Sequence, residues 1–196
     1  NMRFIIVLFL LPLSLLAQLR DSVYVKTDIY EAVYSEVLQQ PKRVWYTVQC
    51  PSGTAARTGM DFYICDSITT SDNKDYENNH YDKGHLAPAA HFNCTKELLF
   101  KTFTYLNCSL QQENLNRTTW RLLEAREREL AKTQTVTVEI RCVFTRKSKV
   151  LPSGATIPDG YYKTIKYGKT TEKFYFDNKK PTSTDYTKYK IKWKKY

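Results

Sequence analysis

Tyr81-Asp82-Lys83-Gly84-His85-Leu86-Ala87-Pro88-Ala89-Ala90-His91-Phe92 carries two of the three histidines in the chain. It places an acid, a base, a glycine and a proline within a few positions, with none of the spacing of an amphipathic helix. Pro88 and the small residues around it predict a loop. The glycine ahead of His85 predicts a tight turn that brings the imidazole close to a substrate. An imidazole exchanges its proton near neutral pH, which makes His85 the candidate general base. His80 and His91 are expected at the surface. A zinc site of His80, His85, His91 and Cys94 is a competing use of these side chains, although their spacing fits no standard finger.

Upstream, Ser71–Asn79 is polar and turn-rich. Before it, Val44-Trp45-Tyr46-Thr47-Val48 and Phe62-Tyr63-Ile64-Cys65 read as strands joined through Pro51-Ser52-Gly53. Downstream, Trp120, Leu123 and Leu130 recur at helical spacing among charged residues, predicting a helix over Glu113–Leu130. Asn116 and Glu124 lie on it, and at 100° per residue they sit about 80° apart, on one flank. The bland use of Asn116 is as an N-cap. Thr133–Phe144 alternates as a strand, with Val136, Val138, Ile140 and Cys142 on one face. At the end, Lys188, Lys190, Lys192 and Lys194 alternate with Tyr189, Ile191 and Trp193. That pattern predicts a solvated edge strand guarded by lysines, with phosphate tracking as the alternative. No repeat or linker interrupts residues 18–196, so a single domain is expected there.

The 196 residues suffice for a real core, and an aromatic content of 14% argues against a disordered chain. A net charge of +10 and a pI near 9.3 point to an anionic partner, nucleic acid first among them. Arg3 followed by the apolar run Phe4–Leu16 and then Ala17 reads as a signal peptide over 1–17, too short for a membrane span. The protein is therefore expected outside the cytoplasm, secreted or periplasmic, with no membrane association after processing. Five cysteines permit at most two internal disulfides, and Cys50–Cys65 is a plausible pair. Asn93, Asn107 and Asn116 all begin glycosylation signals. A glycan on Asn116 would block the proposed ligand, which favours bacterial export.

Asp82-Lys83-Gly84-His85-Leu86-Ala87-Pro88-Ala89-Ala90 resembles the DRGH-x-A-P-A motif of the DNA/RNA non-specific endonucleases, the ββα-metal or His-Me finger nucleases. The family's second signature is similar to Asn107, Leu110-Gln111, Leu115-Asn116, Trp120 and Leu123-Glu124. Weaker likeness covers Val44–Val48 and the segment Ile157-Pro158-Asp159 to Tyr162-Lys163. The resemblance implies that His85 is the general base, that Asn116 is the metal ligand, and that Glu124 orders water around the ion. It also implies supporting positions at Asp82, Asn107 and Gln111, and a phosphate-holding arginine at Arg57. Lys83 stands where the motif has Arg, so a bidentate clamp becomes a point charge. Leu110 replaces the proline before Gln111.

The chemistry agrees with the likeness. Phosphodiester hydrolysis needs an activated water and positive charge near the phosphorus and the leaving oxygen, and Lys83 and Arg57 are the candidates to offset the added transition-state charge. One protein ligand suffices for Mg2+, with Mn2+ as an alternative, because Mg2+ keeps most of its waters. The expectation is an α+β protein: a mixed central sheet with a ββα-metal motif, acting as an exported endonuclease on DNA and RNA. The rival is a non-catalytic secreted protein that binds nucleic acid or another polyanion.

Overall fold

Period-two alternation dominates the chain, and it builds eight strands in the computed structural model, which describes residues 18–192. They are β1 (Val23–Lys26), β2 (Tyr30–Ser35), β3 (Gln40–Thr47), β4 (Tyr81–His85), β5 (Cys108–Gln112), β6 (Val136–Val143), β7 (Gly160–Tyr167) and β8 (Thr170–Asp177). Six of them form one sheet in the order β1-β2-β3-β6-β7-β8, and β4 and β5 form a separate two-stranded sheet. The fold is α+β, as expected. The expected mixed pairing is not found, because every ladder between these strands is antiparallel. Short hairpin connections such as that from β7 to β8 require that arrangement.

One face of the large sheet is buried. Val44, Tyr46, Val136, Val138, Ile140, Tyr161, Ile165, Phe174 and Phe176 point into the core, where they meet Trp120 and Leu123 from a long helical segment. That segment begins with α2 (Glu113–Leu115), passes through a single π turn (Asn116–Trp120), and continues as α3 (Arg121–Ala131). A short α1 (Lys96–Phe100) lies in the excursion between β4 and β5. The small sheet is stitched to the large one through Gln40, whose Oε1 accepts from the Leu110 amide at 3.0 Å and the Ser109 hydroxyl at 3.2 Å.

Several local expectations are corrected. Phe62–Cys65 is not a strand: Tyr63 makes only an isolated bridge to Thr104. Phe62 covers the ring of His85 instead, while Tyr63 stacks on Phe100 at 5.1 Å between centroids. The lysine-rich tail forms a short 3-10 helix at Tyr186–Tyr189 and a single bridge from Lys190 to Phe174. Trp193 and Lys194 lie outside the described residues, as do residues 1–17, which carry the expected signal peptide. Cys50 bonds Cys94, not Cys65. The Cys50 and Gln49 amides both donate to the carbonyl of His91, which brings the end of β3 beside the chain after His91. Cys65 is free, with its sulfur 3.4 Å from the Ser67 hydroxyl.

His91 is also corrected, since it is fully buried. It belongs to an ionic cluster beneath the helix. Lys163 on β7 places its ammonium 2.7 Å from a carboxylate oxygen of Glu127 on α3, and neither side chain is exposed. The Tyr46 hydroxyl donates to the other oxygen at 3.0 Å, and the ammonium sits 4.2 Å from the Trp120 ring centroid. His91 Nε2 donates to the Glu124 carbonyl at 3.2 Å, while Nδ1 lies 3.7 Å from Glu127. Burial, followed by the Lys163 charge, pushes the His91 pKa down to about 3.

Three outcomes follow for stability. Cys50→Ser/Cys94→Ser opens a closed loop spanning 44 positions and should lower the urea-unfolding free energy by about 4 kcal/mol, on the chain-entropy relation. Lys163→Met strands a buried carboxylate and should cost about 3–5 kcal/mol, much of it recovered in Lys163→Met/Glu127→Leu. Because folded His91 resists protonation, the unfolded chain gains a proton first as pH falls below about 6.5. Its share of stability is intact above that pH and declines toward about 3, and His91→Phe should flatten that part of the urea–pH profile.

Candidate active site

β4 pairs with β5 from Tyr81↔Gln112 to His85↔Cys108, and β5 runs straight into the helical segment. The motif residues and the second cluster therefore belong to one ββα unit. Lys83 and His85 share one face of β4, with Asp82 and Gly84 on the other. His85 is half-buried and is held by rings: Phe62 at 4.6 Å and Phe103 at 4.8 Å between centroids. Its Nε2 is enclosed without a hydrogen-bond partner, so Nδ1 is the nitrogen on the open side. Desolvation first, and the Arg57 charge second, push the imidazole down to about 3. The ring is neutral at neutral pH, the form that can accept a proton. Arg57 itself is exposed.

Gly84 does not make the tight turn anticipated for it. It is a strand residue, and a Cβ there would fall 2.5 Å from both Cβ and Oε1 of Gln111. Glycine is needed because the buried Gln111 side chain lies across it. The chain after His85 is fixed by Asn107, which is also buried. Asn107 Oδ1 accepts from the Ala87 amide at 2.7 Å, and its Nδ2 donates to the carbonyls of Ala87 at 2.9 Å and Thr102 at 3.0 Å. The Leu86 amide donates to the Asn107 carbonyl at 3.0 Å. The Asn107 carboxamide thus serves as a splint for the segment leaving His85, and a glycan cannot be accommodated there.

Asn116 is not the helix cap. The segment starts earlier, with the Gln112 side chain accepting from the Leu115 amide at 3.0 Å. Asn116 opens the π turn, and its Nδ2 donates to Asp82 Oδ2 at 2.8 Å. That bond assigns the carboxamide: the nitrogen is occupied, and the oxygen remains as a hard donor of the type Mg2+ takes. Arg117 also donates to Asp82, through Nε at 2.9 Å and Nη2 at 2.5 Å, and it balances the carboxylate charge. π turns are wider than α turns by about one residue, so one of each accounts for roughly the eight positions from 116 to 124. The flank separation expected from an ideal helix thereby shrinks, and Glu124 comes into line with Asn116. Glu124 is raised to about 7 by burial; the Lys163 ammonium opposes this and the Glu127 carboxylate adds to it.

Lys83 is committed elsewhere. Its ammonium donates to Asp61 at 2.8 Å and to Asn73, and it lies 5.7 Å and 5.8 Å from the Phe62 and Tyr105 ring centroids. It pins the segment that carries Phe62 over His85. The zinc alternative does not form: Cys94 is in the disulfide, His91 is in the buried cluster, and His80 is 3.2 Å from Glu113. Among the described residues no three His, Cys, Asp or Glu side chains are grouped to hold a metal ion. Glu127, His91, Tyr46 and Phe62 were missed in the sequence. Of these, only Glu127 carried a signal, as a charge at core spacing from Trp120 and Leu123.

Comparisons with known proteins bear on the whole unit. Mitochondrial Endonuclease G of Bos taurus is 33% identical over 84 residues, which cover 41% of this chain and 28% of that protein. The chain thus spans less than a third of that curated relative. Among solved structures, a chain of the EndoG/EndoGI inhibition complex superposes with a TM-score of 0.75 at 22% identity. The match covers 86% of this chain and 80% of that one, and it shows a shared fold. Residues 22–196 match the DNA/RNA non-specific endonuclease family over nearly the full length described, and the chain belongs to that family.

Proposed function

We propose that the protein is an exported, divalent-metal-dependent endonuclease that hydrolyses phosphodiester bonds of DNA and RNA at the His85–Asn116 unit. One observation carries this reading. The Asn116 carboxamide is oriented by Asp82, on the strand that ends in His85, so that its oxygen is left as a ligand. The oxygen donor fits Mg2+, or Mn2+, held mainly by water and substrate phosphate. Such an ion, when bound, supplies positive charge to the leaving oxygen. Export is supported by the apolar N-terminal stretch and by the Cys50–Cys94 bond, since disulfides persist in oxidising compartments.

The residues of the chain divide the remaining work. His85 Nδ1 takes the proton of the attacking water as that water approaches phosphorus. A neutral imidazole is required for this, and aromatic packing with the Arg57 charge maintains it. Arg57 can then neutralise charge gathering on the phosphoryl oxygens. Glu124, in line with Asn116, orders solvent beside the ligand oxygen. Asn107, Gln111 and Lys83 hold the base, the strand pair and the aromatic cover in place. Contacts of this kind address phosphate and sugar, not base edges, which supports activity on both polymers.

His85→Ala should reduce cleavage of plasmid DNA and of RNA by at least about 100-fold while leaving affinity in EDTA within about twofold. Equal rates in the variant would remove His85 from the base role. Asn116→Ala should lower the rate and move the Mg2+ activation midpoint upward, and an unmoved midpoint would reject it as the ligand. The acid limb of kcat/KM should lie below pH 6.5, the ordinary histidine value, because free His85 stays neutral as pH falls toward about 3.

A further inference from the structure

Arg146, Lys147, Lys149 and Lys180 are exposed, and among the described residues none has an acid at ion-pair distance; Lys179 pairs with Asp177 at 2.9 Å. They come from the β6–β7 connection and the segment after β8. Lys147, Lys149 and Lys179 line one groove of about 270 Å3 together with Tyr81, Ile157 and Pro158. Two acids lie on its wall: Asp177, which pairs with Lys179, and Asp159, whose carboxylate accepts from the hydroxyls of Thr145 at 2.8 Å and Ser148 at 2.7 Å.

The groove is fastened to the catalytic frame. Asn178 Oδ1 accepts from the Gln112 amide at 2.7 Å, and its Nδ2 donates to the carbonyls of Leu110 at 2.8 Å and Pro158 at 2.9 Å. Gln112 is where β5 becomes the helical segment that carries Asn116, and it pairs with Tyr81 across the small sheet. Tyr81 stands four strand steps from His85, about 13 Å at ~3.3 Å per step. A stacked strand rising ~3.4 Å per nucleotide covers that distance in about four nucleotides.

We propose that this groove is a second contact for the nucleic-acid strand, with Lys147, Lys149 and Lys179 on phosphates and the Tyr81 ring against a base, about four nucleotides from the cut bond. Ammonium groups around a ring suit a flexible single strand, in which every base offers a face and every linkage a charge. The inference takes its substrate from the nuclease reading, but its contacts need no cleavage.

The test uses Lys147→Gln/Lys149→Gln/Lys179→Gln in the full chain, with fluorescence anisotropy of a labelled 20-nucleotide strand in EDTA. Each lost phosphate contact should reduce the slope of log affinity against log salt by about 0.7, or about 2 in total. The affinity lost between 50 and 200 mM salt should then be about ten- to twentyfold smaller than for the parent. With Mg2+, kcat/KM on the 20-mer should fall while that on a trinucleotide, too short to reach, stays within twofold. An unchanged salt slope overturns the proposal, and so does an equal loss on the trinucleotide. If the parent binds with the steeper slope yet cuts no substrate with any divalent ion, the groove stands and the nuclease reading fails.

Discussion

The buried Lys163–Glu127 pair is the constraint on which the arrangement turns. An ammonium and a carboxylate with no exposure are tolerable only when each meets the other and further polar groups. Here Tyr46 supplies a hydroxyl from β3, Lys163 comes from β7, and Glu127 comes from α3. Apolar packing of Trp120 and Leu123 would let the helix slide or turn by a fraction of a residue. The ion pair, with His91 bonded to the Glu124 carbonyl, gives the helix one azimuth over the sheet. That azimuth decides what Asn116 and Glu124 face.

A second set of restraints acts on the other half of the site. The disulfide joins the end of β3 to the chain beyond His91, and Asn107 splints the backbone between His85 and Pro88. Lys83 draws the Asp61–Phe62 corner over the imidazole. The base is therefore oriented by rings and chain restraints, without a carboxylate behind it. Its neutrality follows from that choice, since a paired acid would favour the charged ring. His91 touches both halves: its carbonyl receives the amides after β3 and its ring reaches the helix.

The parts of this structure legible in the sequence were those with short-range patterns. Alternation in Val136–Ile140 and the helical spacing of Trp120, Leu123 and Leu130 determine where those residues pack, whatever the rest of the chain does. The motif residues were legible through their family likeness, which supplied candidate roles that geometry alone did not. What escaped depended on partners far along the chain. His91 reads as a polar loop residue until Glu127 and Lys163 arrive around it. Phe62-Tyr63-Ile64 has strand composition, yet its Phe62 ring serves His85. The cysteine pairing depends on loop closure, which spacing does not encode. Asn116 shows the same limit in reverse, because its composition suits a cap while Gln112 already fills that office.

The π turn has a consequence for how the chain can vary in length. Helices tolerate substitution more readily than changes of residue number, because each added or removed position rotates everything beyond it by about 100°. Here the surplus residue of the wide turn lets the C-terminal half present Leu123 and Glu127 to the core while the N-terminal half presents Asn116 to Asp82. Removing one residue from 117–119 would relax the wide turn to ordinary α geometry, and seven steps of about 100° would then span what eight span now, leaving the two halves within about 20° of their present phase. The segment is thus a phase-matching device: it can lose one residue with little rotation, whereas a deletion within α3 would turn everything beyond it by about 100°.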